Sequence, residues 1–223
     1  MATLARSRRT GFLFLLVTAV GWGLNWPVMK LLLREWPPLF ARGTAGVTAA
    51  LALGLLASLR GERLAVPKSA AGRLVLAALL NVTAWMGLTN LALLWLDAGE
   101  GALLVYTMPI WATLWAWAVS GERPSQGRLA ALALGIAGVT VLLGGGGGAG
   151  LGPGKLPGVL LALSAAVLFA FGTVALRTPL GLPPLAGTAW QVGLGCLPMV
   201  AAGVLLERPD YSALSATGWA AMA

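Results

Sequence analysis

The sequence predicts an all-α integral membrane protein of two inverted five-helix repeats, a ten-helix arrangement whose second repeat is incomplete in this chain. Three observations predict it. Hydrophobic residues make up 58% of the 223 positions and charged ones only 10%, against about 25% charged in a soluble domain. The apolar residues fall into runs near the roughly 20 residues that cross a hydrocarbon core. Two stretches of the chain also resemble each other at a nearly constant offset.

The runs place helix one at 11–33, helix two at 38–59, helix three at 71–95 and helix four at 101–119. Helix five is 127–144, helix six 156–176 and helix seven 184–206, with an eighth starting near Ser215 and cut off by the chain end. Arg6, Arg8 and Arg9 before the first run would suit a signal peptide. That run is too long and lacks a clean small-residue cleavage site, so it reads as a retained helix.

The net charge of +8 does not indicate nucleic acid, because the basic residues sit between apolar runs and not on one face. With the N-terminus inside, ten of them are cytoplasmic: Arg6, Arg8, Arg9, Arg60, Arg63, Lys68, Arg73, Arg123, Arg128 and Arg177. Lys30, Arg34, Lys155 and Arg208 fall outside, and Arg42 lies within helix two. That bias predicts a cytoplasmic N-terminus. The single cysteine, Cys196, and the absence of histidine exclude an intrachain disulfide and leave no metal-ligand cluster to build.

Gly11, Leu13, Ala19 and Val20 match Gly158, Leu160, Ala166 and Val167 at an offset of 147. Pro37-Pro38-Leu39 matches Pro183-Pro184-Leu185 at 146, as Ser69-Ala70 matches Ser215-Ala216. Five helices per unit is an odd number, so the second copy enters from the opposite side. The expected division is a first repeat at 1–148, a glycine-rich linker at 149–155 and a second repeat at 156–223, truncated in its third helix. Inverted repeats with a midplane site between them are a feature of secondary carriers.

A midplane site needs polar and aromatic groups at one depth. Trp22, Asn25 and Trp26 share a stripe near the centre of helix one with Thr18 and Met29. Asn81 and Trp85, four apart, share a face of helix three; Tyr106 and Pro109 lie at mid-depth in helix four and Phe169 in helix six. These eight are the candidate substrate-binding residues. An Asn in hydrocarbon needs partners, so Asn25 and Asn81 face the bundle interior, either bonding between helices or touching a solute. Pro109 interrupts the helix-four ladder, as a static kink or as a hinge. Arg42 reads as structural or gating, either snorkelling outward or, as the lesser reading, pairing with a substrate carboxylate. Glu122 has the same structural or gating standing, with Arg123 or Arg128 as its expected partner. Trp36, Trp95 and Trp219 read as interfacial anchors.

Taken in order, Trp22-Asn25-Trp26, Pro37-Pro38 with Arg42, Pro109, Gly121-Glu122, and Gly135 with Gly138 resemble the drug/metabolite transporter superfamily, EamA type. Within it the bacterial aromatic amino-acid exporters are the nearest resemblance. That resemblance implies a multi-pass protein of the bacterial inner membrane, exporting amino acids or similar metabolites by alternating access. Its expected partners are a small-molecule substrate and membrane lipid, with no nucleic acid and no cofactor; a monomer suffices. Multidrug or other metabolite efflux is the alternative, followed by a non-transporting subunit. An intramembrane enzyme would need a nucleophile with its base, paired acids or a metal, and the sequence offers none of these and no catalytic residue. No Asp, Glu or His falls at mid-depth, which predicts facilitated or loosely coupled export.

Overall fold

Pro-Pro pairs, glycines and charged turns cut the apolar sequence into helices, and the computed structural model describes them over residues 2–144, 153–210 and 215. In chain order they are α1 (Ala2–Leu32), α2 (Pro38–Leu59), α3 (Lys68–Ala92), α4 (Ala98–Ser120), α5 (Gln126–Gly144), α6 (Leu156–Ala175) and α7 (Pro184–Glu207). Six are long and apolar enough to cross a membrane; in α5 the apolar stretch, Gln126–Val141, is shorter. The predicted eighth helix and most of the 149–155 linker lie outside the described residues.

The surface is that of a protein solvated by hydrocarbon. Leu51, Leu55 and Leu59 on α2 and Leu205 and Leu206 on α7 are exposed. Such a face is tolerable only where lipid replaces water.

Two helix pairs organise the bundle. The first is α2 with α7, packed antiparallel: Gly43 lies on Val200, Gly46 on Cys196, Ala50 on Gly193 and Gly54 on Ala189. Small residues let the two backbones approach, the usual basis of helix association where no hydrophobic effect drives it. Both helices open on Pro-Pro, which supplies no side-chain cap. Each N-terminus is instead capped by a carboxylate at or just past the end of the other helix. Glu207 accepts from the Leu39 and Phe40 amides at 3.1 and 2.9 Å, and Glu62 accepts from the Ala186 amide at 2.9 Å.

The second pair is α4 with α6, packed parallel. Lys155 binds Glu100 at 2.7 Å at the start of the pair, and Trp115 Nε1 donates to the Val167 carbonyl in the middle. Arg177 binds Glu122 at 2.8 Å at the end. Glu122 therefore pairs across helices and not with Arg123 or Arg128, because the parallel register brings the end of α6 beside the end of α4.

Two helices are irregular inside. α3 carries a π-helical segment, Leu79–Ala84, and α4 breaks at Tyr106–Thr107 before resuming at Met108. Pro109 stands in the first turn of the resumed segment, where its missing N–H costs nothing.

The main core lies at one end of the bundle. Met29, Leu32, Trp36, Phe40, Leu93, Leu96 and Leu104 pack there, where α1 and α3 finish and α2, α4 and α6 begin. Trp36 is 6% exposed and its ring lies 5.0 Å from Phe40, so it is a core residue and not the interfacial anchor expected. Lys30 reaches over the same end and donates to the carbonyls of Leu93 and Leu96, the latter at 2.8 Å. A cation on carbonyls at and just past the C-terminal cap of α3 offsets that helix's negative end. The opposite half of α1, Gly11–Leu24, is exposed on every side.

Candidate functional site

A cavity of about 200 Å³ lies beneath this core, between α1, α2, α3 and α4. Its apolar wall is Trp22, Trp26, Trp85, Met86 and Met29, and its polar groups are Asn25, Arg42, Thr89, Asn90 and Tyr106. At one end it meets Leu93 and the packed core; at the other it reaches Gly21 and Trp22, the latter 47% exposed.

Helical spacing explains the α1 wall. Trp22, Asn25, Trp26 and Met29 recur at intervals of three and four, so one stripe faces the cavity. Trp26 is fixed by an Nε1 hydrogen bond to the Tyr106 hydroxyl at 3.2 Å, its ring edge-on to the tyrosine at 6.1 Å. The break after Val105 leaves Tyr106 at the start of a turn, from which its side chain reaches α1.

Arg42 enters from the first turns of α2. Its Nη1 donates to Asn25 Oδ1 at 3.2 Å and approaches Met29 Sδ at 3.6 Å. The guanidinium therefore turns into the cavity, which corrects the expectation that it snorkels to the membrane surface. The core of Phe40, Trp36 and Leu32 stands at the end toward which it would have to snorkel.

On α3 the expected pair separates. Trp85 lines the cavity, while Asn81 lies under Gly172 of α6, its Oδ1 buried with no hydrogen-bond partner among the described residues. The cause is the π-helical segment, whose wider turn lies between them and rotates the face that a regular four-residue spacing would share. Thr89 and Asn90 take the polar places on this wall. Both are buried, Asn90 to 3% exposure, and neither was among the sequence candidates. Thr89 was within reach of the four-residue rule from Trp85.

Two further candidates fall outside the cavity. Phe169 packs behind Trp85, ring centroids 4.4 Å apart, and so supports the wall without lining it. Pro109 lines a separate cavity of about 340 Å³ with Ile110, Gly135, Gly138 and Val139, between α4 and α5. Glu122 is exposed at the far end of α4. Among the described residues no cluster of His, Cys, Asp or Glu could hold a metal, and no carboxylate lines the cavity.

The chamber combines aromatic walls, uncharged polar groups and one cation, and its lining residues hold no nucleophile–base pair. The sequence profile of the EamA-like transporter family matches residues 9–144, which include every residue lining this chamber. The chain belongs to the EamA-like transporter family.

Similar proteins agree with that membership. The chain is 32% identical to the uncharacterized transporter YvbV of Bacillus subtilis over 97% of its own length and 69% of that protein's. It is 28% identical to the uncharacterized inner membrane transporter YedA of Escherichia coli K12, over 90% of this chain and 66% of YedA. It is 29% identical to a Salmonella typhimurium protein named "Probable amino-acid metabolite efflux pump", over 92% and 67%. A crystal structure superposes on 90% of this chain and 71% of its own with a TM-score of 0.61; at 23% identity it speaks for the fold alone. The chain thus spans about two thirds of the length of these relatives. This EamA-like protein is a multi-pass membrane transporter of metabolites, and not an enzyme.

Proposed function

We propose that this EamA-like protein exports small amphipathic metabolites, amino acids including aromatic ones foremost, through the chamber between α1, α2, α3 and α4. The observation that carries this reading is the chamber's composition. Three indoles and a phenol give flat apolar walls, and Asn25, Thr89, Asn90 and Arg42 give a polar side. Its volume of about 200 Å³ lies below the roughly 300–1,000 Å³ of drug-sized sites, which favours a small metabolite over multidrug efflux. The lining cation also disfavours the cationic compounds typical of such efflux.

The pairing of α2 with α7 supports inverted repeats and alternating access. Under the repeat offset of 146, with partners exchanged, the contact Gly43–Val200 becomes Gly54–Ala189, which is itself a contact. Gly46–Cys196 becomes 50–192, one residue from the contact Ala50–Gly193. Glu207–Phe40 becomes 61–186, one residue from Glu62–Ala186. A contact set that maps onto itself in this way fits a two-fold axis running between α2 and α7, with the first repeat at 1–148 and the second from 156.

With the N-terminus cytoplasmic, as the basic residues favour, the packed core closes the outer end of the chamber and the Trp22 end faces the cytoplasm. That is the arrangement in which an exporter takes up its load. Proteoliposomes preloaded with single amino acids, with small neutral metabolites and with cationic dyes test the reading. Saturable release of amino acids but not dyes supports it; release of dyes alone, or of nothing in the panel, refutes it.

A further inference from the structure

We infer that Arg42 is an anion-recognising group and that the solute in this chamber is held by a carboxylate, its amine being dispensable. The inference rests on the proposed transport through the same chamber and specifies its substrate class as small monocarboxylates with an apolar side chain.

Arg42 carries a charge that no ion pair compensates. Among the described residues the ion pairs are those of Lys155 with Asp97 and Glu100 and of Arg177 with Glu122; none involves Arg42. The nearby carboxylate of Glu207 is engaged by the Leu39 and Phe40 amides. Arg42 is bonded only to an amide oxygen and a thioether, both neutral and both through Nη1. A guanidinium inside a membrane span without a counter-charge is costly and by default marks a site. Its remaining donors, on Nη2 and Nε, form the planar fork that matches a carboxylate.

A second, independent observation points the same way. Asn90 is 3% exposed, lines the same chamber and makes no side-chain hydrogen bond to another described residue. Its amide opens on the chamber and is not sealed in the packing, so it stands there as a second recognition group. Asn25 is positioned to orient the guanidinium: its Oδ1 accepts from Arg42 Nη1, which also approaches Met29 on the same helix.

What the chamber lacks fixes the other half of the proposal. No Asp or Glu is among its lining residues, so an ammonium group would meet no anion there. The carboxylate is therefore the group with an ionic partner, and the side chain lies against Trp22, Trp26 and Trp85.

The test uses the purified chain in lipid nanodiscs, with quenching of intrinsic tryptophan fluorescence as readout and two isosteric probes, 3-phenylpropionate and 3-phenylpropanamide. The acid should bind at least tenfold more tightly than the amide. Arg42→Gln should abolish that preference while leaving the affinity for the amide within about twofold, and Arg42→Lys should restore part of it. Equal affinity for acid and amide overturns the inference, as does acid preference that survives Arg42→Gln or failure of the acid to bind. The two proposals fail separately. Amino-acid release from proteoliposomes without acid preference overturns the carboxylate subsite alone. Acid preference at Arg42 without release of any solute overturns transport alone.

Discussion

Glu207 Oε2 lies 2.9 Å from the amide nitrogen of Phe40, so the carboxylate of the last residue of α7 serves as the N-terminal cap of α2. Glu62 does the same for α7 at Ala186. A carboxylate at the positive end of a helix contributes about 0.3–1 kcal/mol when exposed and up to about 2 when partly buried. Glu207→Gln should therefore lower stability by about 1–2 kcal/mol. Glu62→Gln should cost somewhat less, because it caps one amide and not two. The caps stand at opposite ends of α2, so the two losses should add. Thermal unfolding of the single and double variants in detergent checks this; a double variant no worse than the Glu207 single would contradict it.

Gly195 gives a sharper stability test. A Cβ there would stand 2.4 Å from Val82 Cβ and 2.7 Å from the Ala78 carbonyl oxygen, on the backbone of α3. Neither can yield cheaply, so Gly195→Ala should destabilise by about 1–3 kcal/mol. Gly138→Ala on α5 meets nothing within 4 Å and should be close to neutral. Equal melting temperatures for the two variants would disprove the close approach of α7 to α3.

The chamber predicts which aromatic residues matter for transport. Trp85→Ala removes a wall and should lower solute release at least tenfold. Phe169→Ala, acting only through the Trp85 ring at 4.4 Å, should have a smaller effect of the same sign. Pro109→Ala should leave solute affinity unchanged, since Pro109 lines the other cavity. Initial rates of release across a concentration series separate these outcomes.

Much of this was legible in the sequence, for reasons particular residues make plain. Pro37-Pro38 fixed the start of α2, and the predicted 38–59 is the helix observed. The α1 stripe from Trp22 to Met29 could be read because α1 is regular there, and the three- and four-residue spacing held. On α3 the same rule joined Asn81 to Trp85 and failed, because no residue type announces a π-helical turn in a run of Leu, Asn, Val and Thr. Asn90 was overlooked with it. Arg42 was visible as a cation in an apolar run, but its direction depends on the core at Trp36 and Phe40, which only packing reveals.

Two loop charges give a pH signature. Glu100 and Asp97 beside Lys155 hold its ammonium above the ordinary 10.5. A raised value in the folded state means that the pair favours the fold below pH 10.5, and that this is lost as pH rises through the raised value. Ser215 donates its N–H and hydroxyl to Glu35 and holds that carboxyl below 4.5. Its contribution is present above pH 4.5 and lost as pH falls through the lowered value. Both sites lie at the surface and are partly open to solvent, so the effects are small. Lys155→Met should flatten only the alkaline limb of the melting temperature against pH, and Glu35→Gln only the acid limb; an exchanged pattern would contradict both assignments.

The most direct test of the chamber as the solute's path is protection of a single introduced thiol. Cys196 is the chain's one cysteine and is fully buried, so it should stay silent toward a thiol reagent. Thr89→Cys puts a thiol on the chamber wall, and Val119→Cys puts one on the exposed surface of α4. Phenylalanine should slow alkylation of the thiol at position 89 in proportion to occupancy and leave that at position 119 unchanged. Alkylation at 89 that proceeds at the same rate with saturating phenylalanine would contradict the account.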